Sequence, residues 1–286
     1  MPPSGTSFTA LNLPPTFQLP QCMEYFTLPA GPNTDLWRKP PNGDTSTAPI
    51  VFTSLRHPFV VAEVTVSADW ELECDQGGLV IFAGAAPHAQ STLFSEVDTA
   101  HAPTPVSTPG WRAGTSAGSA GSDPRFPCKW VKAGMEFSSG SVNASSVSAT
   151  ADGADWCLSP LASAGPGMGT GMGMGMGVST GMQSLRIKLE RVGFALWIWY
   201  QVPSALPYAL SPGAVGSTWK KLREVTWFFY GVEDKFVHVG VYASRPTGLS
   251  GGENAWDAMP GMALDGSLPA GSGDGLVVEF EDLEIF

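Results

Sequence analysis

The feature that most constrains the fold of this chain is the alternation of apolar and polar residues in short runs. In Lys129–Phe137, every second residue from Val131 onward is apolar. The intervening positions hold side chains able to contact a ligand: Trp130, Lys132 and Glu136. Because successive side chains of a β-strand point to opposite faces, this period of two predicts a half-buried strand with one core face and one polar face.

The same alternation recurs along the chain and predicts an all-β protein. Gly (34 residues) and Pro (25 residues) are abundant and helical periodicity is almost absent, so a helical fold is disfavoured. The candidate strands are Phe59–Ala68, Gly78–Phe82, Trp130–Phe137, Val147–Thr150, Leu185–Arg191, Ala195–Gln201, Lys221–Thr226, Phe236–Ala243 and Leu276–Glu281. Neither half of the chain has enough strands to close two sheets, so we expect a single antiparallel sandwich over residues 1–286.

Four segments rich in Gly, Ala, Ser, Thr and Pro interrupt the strand pattern. They cover residues 85–127, 159–183, 203–217 and 246–275. Loop closure becomes only slowly less favourable with length, so a core can carry insertions of this size. We interpret them as loop elaborations on a core of about residues 28–286.

Charge and terminal sequence limit the partners that this chain can have. The net charge of -11 repels phosphate backbones and anionic lipid, and no run of apolar residues is long enough for a membrane span. We therefore expect neither a nucleic-acid nor a membrane partner. The start of the chain does not resemble a secretory signal, and its four cysteines lack metal or redox spacing. These features predict a cytoplasmic protein.

Three motif-like features give only weak evidence for a catalytic or metal-binding site. Gly114–Gly118 fits the G-x-S-x-G pattern around Ser116, but it has no flanking strand and helix to form a nucleophile elbow. The methionines of residues 168–177 alternate with glycine without a nearby His or Cys, which is more typical of a low-complexity loop than of a copper site. The four histidines are isolated in sequence. We expect no metal site and no cofactor.

Paired carboxylates give an enzymatic alternative. The segment Glu279–Glu284 is similar to the E-x-D-x-x-E strand of some β-sandwich glycosidases, but its acids stand in a different order unless a bulge moves Asp282. Glu136 and Asp75 form a second conceivable pair. Lys132, four residues before Glu136 on the same face, favours a structural ion pair there instead.

Tryptophans beside polar residues support a binding function. Trp197 and Trp199 share one face of their predicted strand, whereas Trp37 and Trp156 adjoin charged residues. Indole rings stack on sugar rings while polar neighbours bind the hydroxyl groups, although large side chains also commonly cover a core. Both roles are open for these residues.

Several ordered motifs resemble one family. They are Trp37-Arg-Lys39, Asp75-Gln-Gly-Gly-Leu79, Trp130–Phe137, Asp155-Trp156 and Val239–Ser244. In this order they resemble the domain of unknown function 1349 family, which includes proteins of the regulation of enolase protein 1 type. The resemblance implies a concanavalin A-like jelly-roll sandwich, in agreement with the strand pattern.

The resemblance implies no catalytic residues but marks the positions of the polar motif groups. The candidate ligand-binding residues are Trp37, Asp75, Gln76, Trp130, Lys132, Glu136 and Trp156. We expect a non-enzymatic binding or regulatory protein of carbohydrate metabolism that binds a carbohydrate or small polar ligand on the polar sheet face. The alternatives are a glycoside-active enzyme using paired carboxylates among Glu136, Asp75 and Glu279, and a protein-binding module that acts on a metabolic enzyme.

Overall fold

The computed structural model describes residues 7–40, 43–55, 57–84, 86–87, 129–161, 183–203, 218–232, 236–247 and 275–286. These residues form fifteen β-strands. The strands are β1 (Phe8–Leu11), β2 (Tyr25–Ala30), β3 (Leu36–Lys39), β4 (Gly43–Ser46), β5 (Ile50–Leu55), β6 (Val61–Ala68), β7 (Gln76–Ala83), β8 (Lys129–Ser138), β9 (Ser141–Thr150), β10 (Gly153–Pro160), β11 (Gln183–Val192), β12 (Ala195–Gln201), β13 (Lys220–Val225), β14 (Val237–Ser244) and β15 (Leu276–Ile285).

Two large antiparallel sheets pack face to face. The seven-stranded sheet has the order β1-β5-β14-β7-β8-β9-β10, and the six-stranded sheet has the order β13-β12-β11-β6-β15-β2. Each sheet combines strands from both ends of the chain. The predicted all-β, jelly-roll type sandwich is therefore confirmed.

The core between the sheets follows the alternation of the sequence. Val131, Ala133 and Met135 of β8 are fully buried there, as are Leu185, Ile187 and Leu189 of β11 on the facing sheet. The aliphatic side chains of one sheet thus pack on those of the other, as in an aligned sandwich.

A second apolar cluster lies on the opposite face of the seven-stranded sheet. Leu36 and Ile50 belong to it, together with Val80, Trp130 and Tyr242. The two-stranded hairpin of β3 and β4 contributes to this cluster and covers it. The seven-stranded sheet is consequently buried on both faces over β7 and β8, where every residue of β7 is buried.

All nine predicted strands are present, but six others were not predicted. These are β1, β2, β3, β4, β5 and β10. β1, β3 and β4 have only four residues each, which is too short for a periodic signal. β5 begins with four buried residues in succession because both of its faces are covered, so it shows no alternation. β2 contains Pro29 and lies at a sheet edge, where a strand tolerates proline.

Most of the four predicted insertions lie outside the described residues, as do the Ser116 motif and the methionine-glycine run. One boundary was wrong by two residues, because β10 continues through Pro160. Within the described ranges, no helix has the length and apolar character needed to cross a membrane.

Candidate functional site

The polar face of β8 is covered by other parts of the chain. Lys132 is 1% exposed, and its ammonium donates to Asp35 Oδ1 at 3.0 Å. The same oxygen accepts the backbone N–H of Leu36 at 2.7 Å, at the start of the covering hairpin. The lysine also lies 5.6 Å from the centre of the Tyr242 ring on β14. This ion pair joins β8 to the segment that covers its polar face, which consists of Asp35 and the β3–β4 hairpin and is called the cover below.

A second buried ion pair lies just before β7. Asp75 is completely buried, and Arg245 binds it with two hydrogen bonds of 2.8 Å. Its Oδ2 also accepts the backbone N–H groups of Glu71 and Leu72 at 3.2 Å and 3.0 Å. Bidentate arginine contacts and backbone donors fix the Asp75 carboxylate completely. We conclude that Asp75 orders the loop before β7.

Glu136 is the third buried carboxyl group of this region. Its Oε2 accepts a hydrogen bond from Ser145 Oγ at 2.5 Å and one from the indole N–H of Trp156 at 3.1 Å. Its Oε1 is buried without a hydrogen-bond partner. Burial raises the pKa of Glu136, although Ser145, Lys132 and Trp156 oppose this effect.

The tryptophans on this side also belong to the cover. Trp130 is fully buried and donates its indole N–H to Asp44 Oδ2 at 3.2 Å. Arg38 forms two hydrogen bonds of 2.5 Å and 2.6 Å to the same carboxylate, and it donates to the carbonyl of Thr150 at 2.8 Å. Trp37, on the hairpin, packs partly buried against this cluster.

The structure thus brings the predicted site residues together but closes the surface over them. Gln76, Trp130, Lys132, Glu136 and Trp156 share the outer face of the seven-stranded sheet. Asp75 lies beside it and Trp37 above it. The ion pair that the sequence suggested between Lys132 and Glu136 is not formed, because Asp35 from the cover takes the lysine. Sequence spacing could not reveal this partner 97 residues away.

Glu279 lies apart from the other two carboxyl groups of the enzymatic alternative. Asp75, just before β7, and Glu136 on β8 are buried at the seven-stranded sheet, whereas Glu279 lies on β15 of the other sheet, opposite Thr27 of β2. A bulge does interrupt β15 between Glu281 and Glu284. It turns Asp282 to solvent with a positive φ of 53°.

An open polar groove lies on the outer face of the six-stranded sheet. Its volume is about 410 Å³. Its lining residues come from β6, β11, β12 and β15 and the segment after β12: Thr65, Ser67, Ser184, Arg186, Gln201, Pro203 and Glu281. Arg186 is held in place by Glu63, whose carboxylate it contacts at 3.1 Å. The groove therefore presents both hydrogen-bond donors and acceptors on rigid strands.

Tryptophans and lysines alternate in space beside this groove. Trp197 and Trp199 precede Gln201 on the same face of β12, with ring centres 5.6 Å apart. Lys221 lies over the Trp197 ring at 3.2 Å, and Lys188 lies 4.7 Å from the centre of the Trp219 ring. The indole N–H groups of Trp197 and Trp199 are buried without acceptors. This strip places partly exposed indole rings beside the groove, with lysine ammonium groups against them.

Sequence reasoning identified the two tryptophans of β12 but missed the groove. Arg186 and Gln201 are direct partners across β11 and β12, and Thr65 pairs with both Arg186 and Glu281 in neighbouring strands. The only available signal was their position on the polar side of each alternating strand. Among the described residues, no cluster of three or more His, Cys, Asp and Glu side chains is arranged to hold a metal ion.

Comparisons with known proteins give a family and a fold. The model of the DUF1349 family, described as proteins of unknown function, matches residues 11–285. The uncharacterized protein AN7484 of Emericella nidulans is 30% identical over 227 residues, which cover 79% of this chain and 80% of the relative. A functionally unknown protein from Saccharomyces cerevisiae has a similar structure, with a TM-score of 0.54 and 17% identity over 99% of this chain and 98% of that one.

A glycoside hydrolase family 43 protein of Bacillus licheniformis, BlXynB, is also similar in structure. Its TM-score is 0.45 at 11% identity, and the alignment covers 91% of this chain but only 32% of BlXynB. This chain therefore spans about a third of that protein. A likeness of this size supports no conclusion about activity.

Proposed function

This chain belongs to the DUF1349 family, and we propose that it is a non-enzymatic protein that binds carbohydrate on the outer face of the six-stranded sheet. The observation that carries the proposal is the 410 Å³ polar groove, whose lining residue Gln201 follows Trp199 and Trp197 on the same face of β12. A role in carbohydrate metabolism, as the family resemblance implies, would follow from such binding. The site differs from the one predicted from sequence.

The groove has the mixture of groups that sugar recognition requires. Sugars present many hydroxyl groups around apolar ring faces, so their sites combine aromatic rings with a few fixed donors and acceptors. Arg186 and Gln201 offer donors, and Glu281 offers acceptors.

The closed face is a poor place for the same ligand. Trp130, Lys132 and Glu136 are each at most 1% exposed, and a sugar would have to displace the β3–β4 hairpin to reach them. Displacement would break the Lys132–Asp35 ion pair and leave both charges without their present partner. We therefore assign these residues a structural role.

A glycan array followed by calorimetric titration of its best ligand tests the proposal. We expect binding by the wild-type protein and at least a tenfold loss of affinity in Trp199→Ala and in Gln201→Ala, since each removes part of the groove or strip. Trp37→Phe, on the cover of the opposite sheet, is the matched control and should bind as the wild type does. Absence of binding to every glycan would contradict the proposal, and so would equal losses in all three variants.

The glycoside-active alternative predicts a different outcome of the same experiment. Glu279 lies on the other sheet from Asp75 and Glu136. Those two carboxyl groups are buried, Asp75 against Arg245 and Glu136 against Ser145 and Trp156, so they do not flank an open groove where a glycosidic bond could lie. We expect the bound glycan to be recovered intact after incubation with the protein. Release of shorter sugars would favour the enzyme.

The protein-binding alternative is favoured by an apolar patch at one end of the sandwich. Phe194 and Tyr230 are 50% and 68% exposed, with ring centres 5.8 Å apart. Exposed Val60 and Phe286 are joined by a backbone hydrogen bond, and Arg191 links Val60 to the strand that precedes Phe194. If no glycan binds, titration of purified enolase against the wild type and Phe194→Ser would test this alternative.

A further inference from the structure

Two neighbouring residues of the closed face each have a buried acceptor oxygen without a donor. Gln76 and Glu136 are direct partners across β7 and β8, so their side chains lie on the same face as neighbours. Both residues are at most 2% exposed. Gln76 Oε1 and Glu136 Oε1 are both buried and unpaired. An unsatisfied buried acceptor is unfavourable, because it has lost its hydrogen bonds to water and gained none within the protein.

The charges of this buried region are unequal. Arg38 forms a pair with the partly buried Asp44 and so adds no net charge. The rest of the region contains two cations, Lys132 and Arg245, and three carboxyl groups, Asp35, Asp75 and Glu136. Asp35 binds the lysine and Asp75 binds the arginine, each at 3.0 Å or less. Glu136 is left without a salt bridge to either cation. Ionisation of all three carboxyl groups would therefore leave one uncompensated negative charge in the interior.

The other groups that face Glu136 do not stabilise a negative charge enough to change this conclusion. Asp35 repels it, and Lys132 attracts it while bound to Asp35. Cys74 and Tyr242 are the remaining titratable neighbours, and burial together with the charge of Glu136 raises the pKa of each. Both are consequently neutral near pH 7. Only the hydroxyl of Ser145 and the indole of Trp156 donate to Glu136, both at Oε2.

We propose that Glu136 binds a proton on Oε1 in the folded protein and donates it to Gln76 Oε1, so that the closed face responds to pH. One proton then supplies the donor that both oxygens lack. It also makes the count of buried charges equal, with two cations and two carboxylates. The hydrogen bond ties β7 to β8 on the face where the hairpin is anchored.

The direction of the pH effect follows from the raised pKa of Glu136. Its ordinary value is 4.5, and in the folded protein burial moves the pKa upward. Between these two values the unfolded chain has lost the proton and the folded protein keeps it, so stability decreases as pH rises. Below the ordinary value this group contributes no pH dependence, and above the folded value its effect is constant.

The test compares the unfolding free energies of the wild type and Glu136→Gln in urea from about pH 4 to about pH 9. Glutamine keeps the shape and a donor but cannot ionise. We expect the variant to gain stability relative to the wild type as pH rises above 4.5. Glu190→Gln on the other sheet is the matched control, and its difference from the wild type should show no such rise. A flat or falling difference for Glu136→Gln would overturn the proposal.

An infrared measurement keeps the proposal testable if Glu136→Gln does not fold. The wild-type protein, labelled with carbon-13 at glutamate carboxyl groups, should show the carbonyl band of a protonated carboxylic acid near neutral pH. That band should be absent from a labelled sample unfolded in urea at the same pH. If the folded protein shows only ionised carboxylates, Glu136 does not hold the proton and the proposal is wrong.

Discussion

The outer faces of the two sheets have the same sequence pattern and opposite environments. On β8, Lys132 alternates with core residues and is 1% exposed in a salt bridge to Asp35. On β11, Lys188 also alternates with core residues, yet its side chain is partly exposed and lies 3.9 Å from Glu190. The first lysine is part of a closed network, whereas the second borders an open groove.

This difference shows that the exposure of a polar strand face depends on whether another segment of the chain covers it. The seven-stranded sheet carries a hairpin on its outer face, and its polar residues form pairs that hold that cover. The six-stranded sheet has an open groove on its outer face. Binding at the open face would not break a buried ion pair, which is why the proposed ligand site is on that face.

The largest expected effect comes from the glycines within the seven-stranded sheet. A Cβ on Gly134 would lie 1.9 Å from the backbone oxygen of Gly77 on β7. Gly134→Ala should therefore force β7 and β8 apart and destabilise the protein by more than about 4 kcal/mol, or prevent folding. Ser184→Ala on the open sheet should change stability by less than about 0.5 kcal/mol.

Circular dichroism during urea unfolding would measure both variants. Equal stabilities would show that the closed sheet tolerates separation of β7 and β8. The contrast between a closed and an open face would then lose its structural basis.

The two lysines provide a direct comparison of the faces. Lys132→Met should cost about 3–5 kcal/mol, because it leaves the Asp35 carboxylate near the sheet without its cation. Lys188→Met should cost about 0–1 kcal/mol, as expected for a lysine near the surface. Chemical unfolding of both variants at one pH measures the two losses of unfolding free energy. Similar losses would mean that the environments of Lys132 and Lys188 do not differ as described.

A smaller effect on stability is expected from the titration of His238, which lies on β14 of the seven-stranded sheet. It is 5% exposed, and its ring contacts Ser54 Oγ at 2.8 Å and the carbonyl of Gly84 at 3.2 Å. Burial lowers the pKa of His238, with the carbonyl of Gly84 acting in the opposite direction. Its stabilising contribution should be present above the ordinary value of 6.5 and decrease as pH falls below it.

Unfolding of His238→Gln between about pH 5 and about pH 8 measures this effect. The variant should lose less stability on acidification than the wild type does. His57→Gln, at an exposed position, is the control and should follow the wild type. If both variants follow the wild type, burial of His238 has no thermodynamic consequence.

The sequence predicted the sandwich because its strands alternate strongly. In β8 and β11, the residues expected in the core are those that are buried between the sheets. The pairing of strands was beyond such reasoning. Thr65, Arg186 and Glu281 line one groove only because β6, β11 and β15 are neighbours, which no local period encodes.

The cover of the polar face was also beyond prediction from sequence. β3 and β4 have four residues each, so their alternation is too brief to recognise. Asp35 and Arg38, which pair with Lys132 and Asp44, are part of this region. The alternation of β8 by itself predicts a solvent-exposed polar face as well as it predicts a covered one.

The central claim is that a carbohydrate binds the open face and leaves the closed face unchanged. Indole N–H signals in a nitrogen-15 NMR titration with the best glycan test this most directly. Trp197 and Trp199 have unpaired indole groups, whereas those of Trp130 and Trp156 are bonded to Asp44 and Glu136. We predict that the signals of Trp197 and Trp199 shift while those of Trp130 and Trp156 stay in place. Shifts confined to Trp130 and Trp156 would contradict the account.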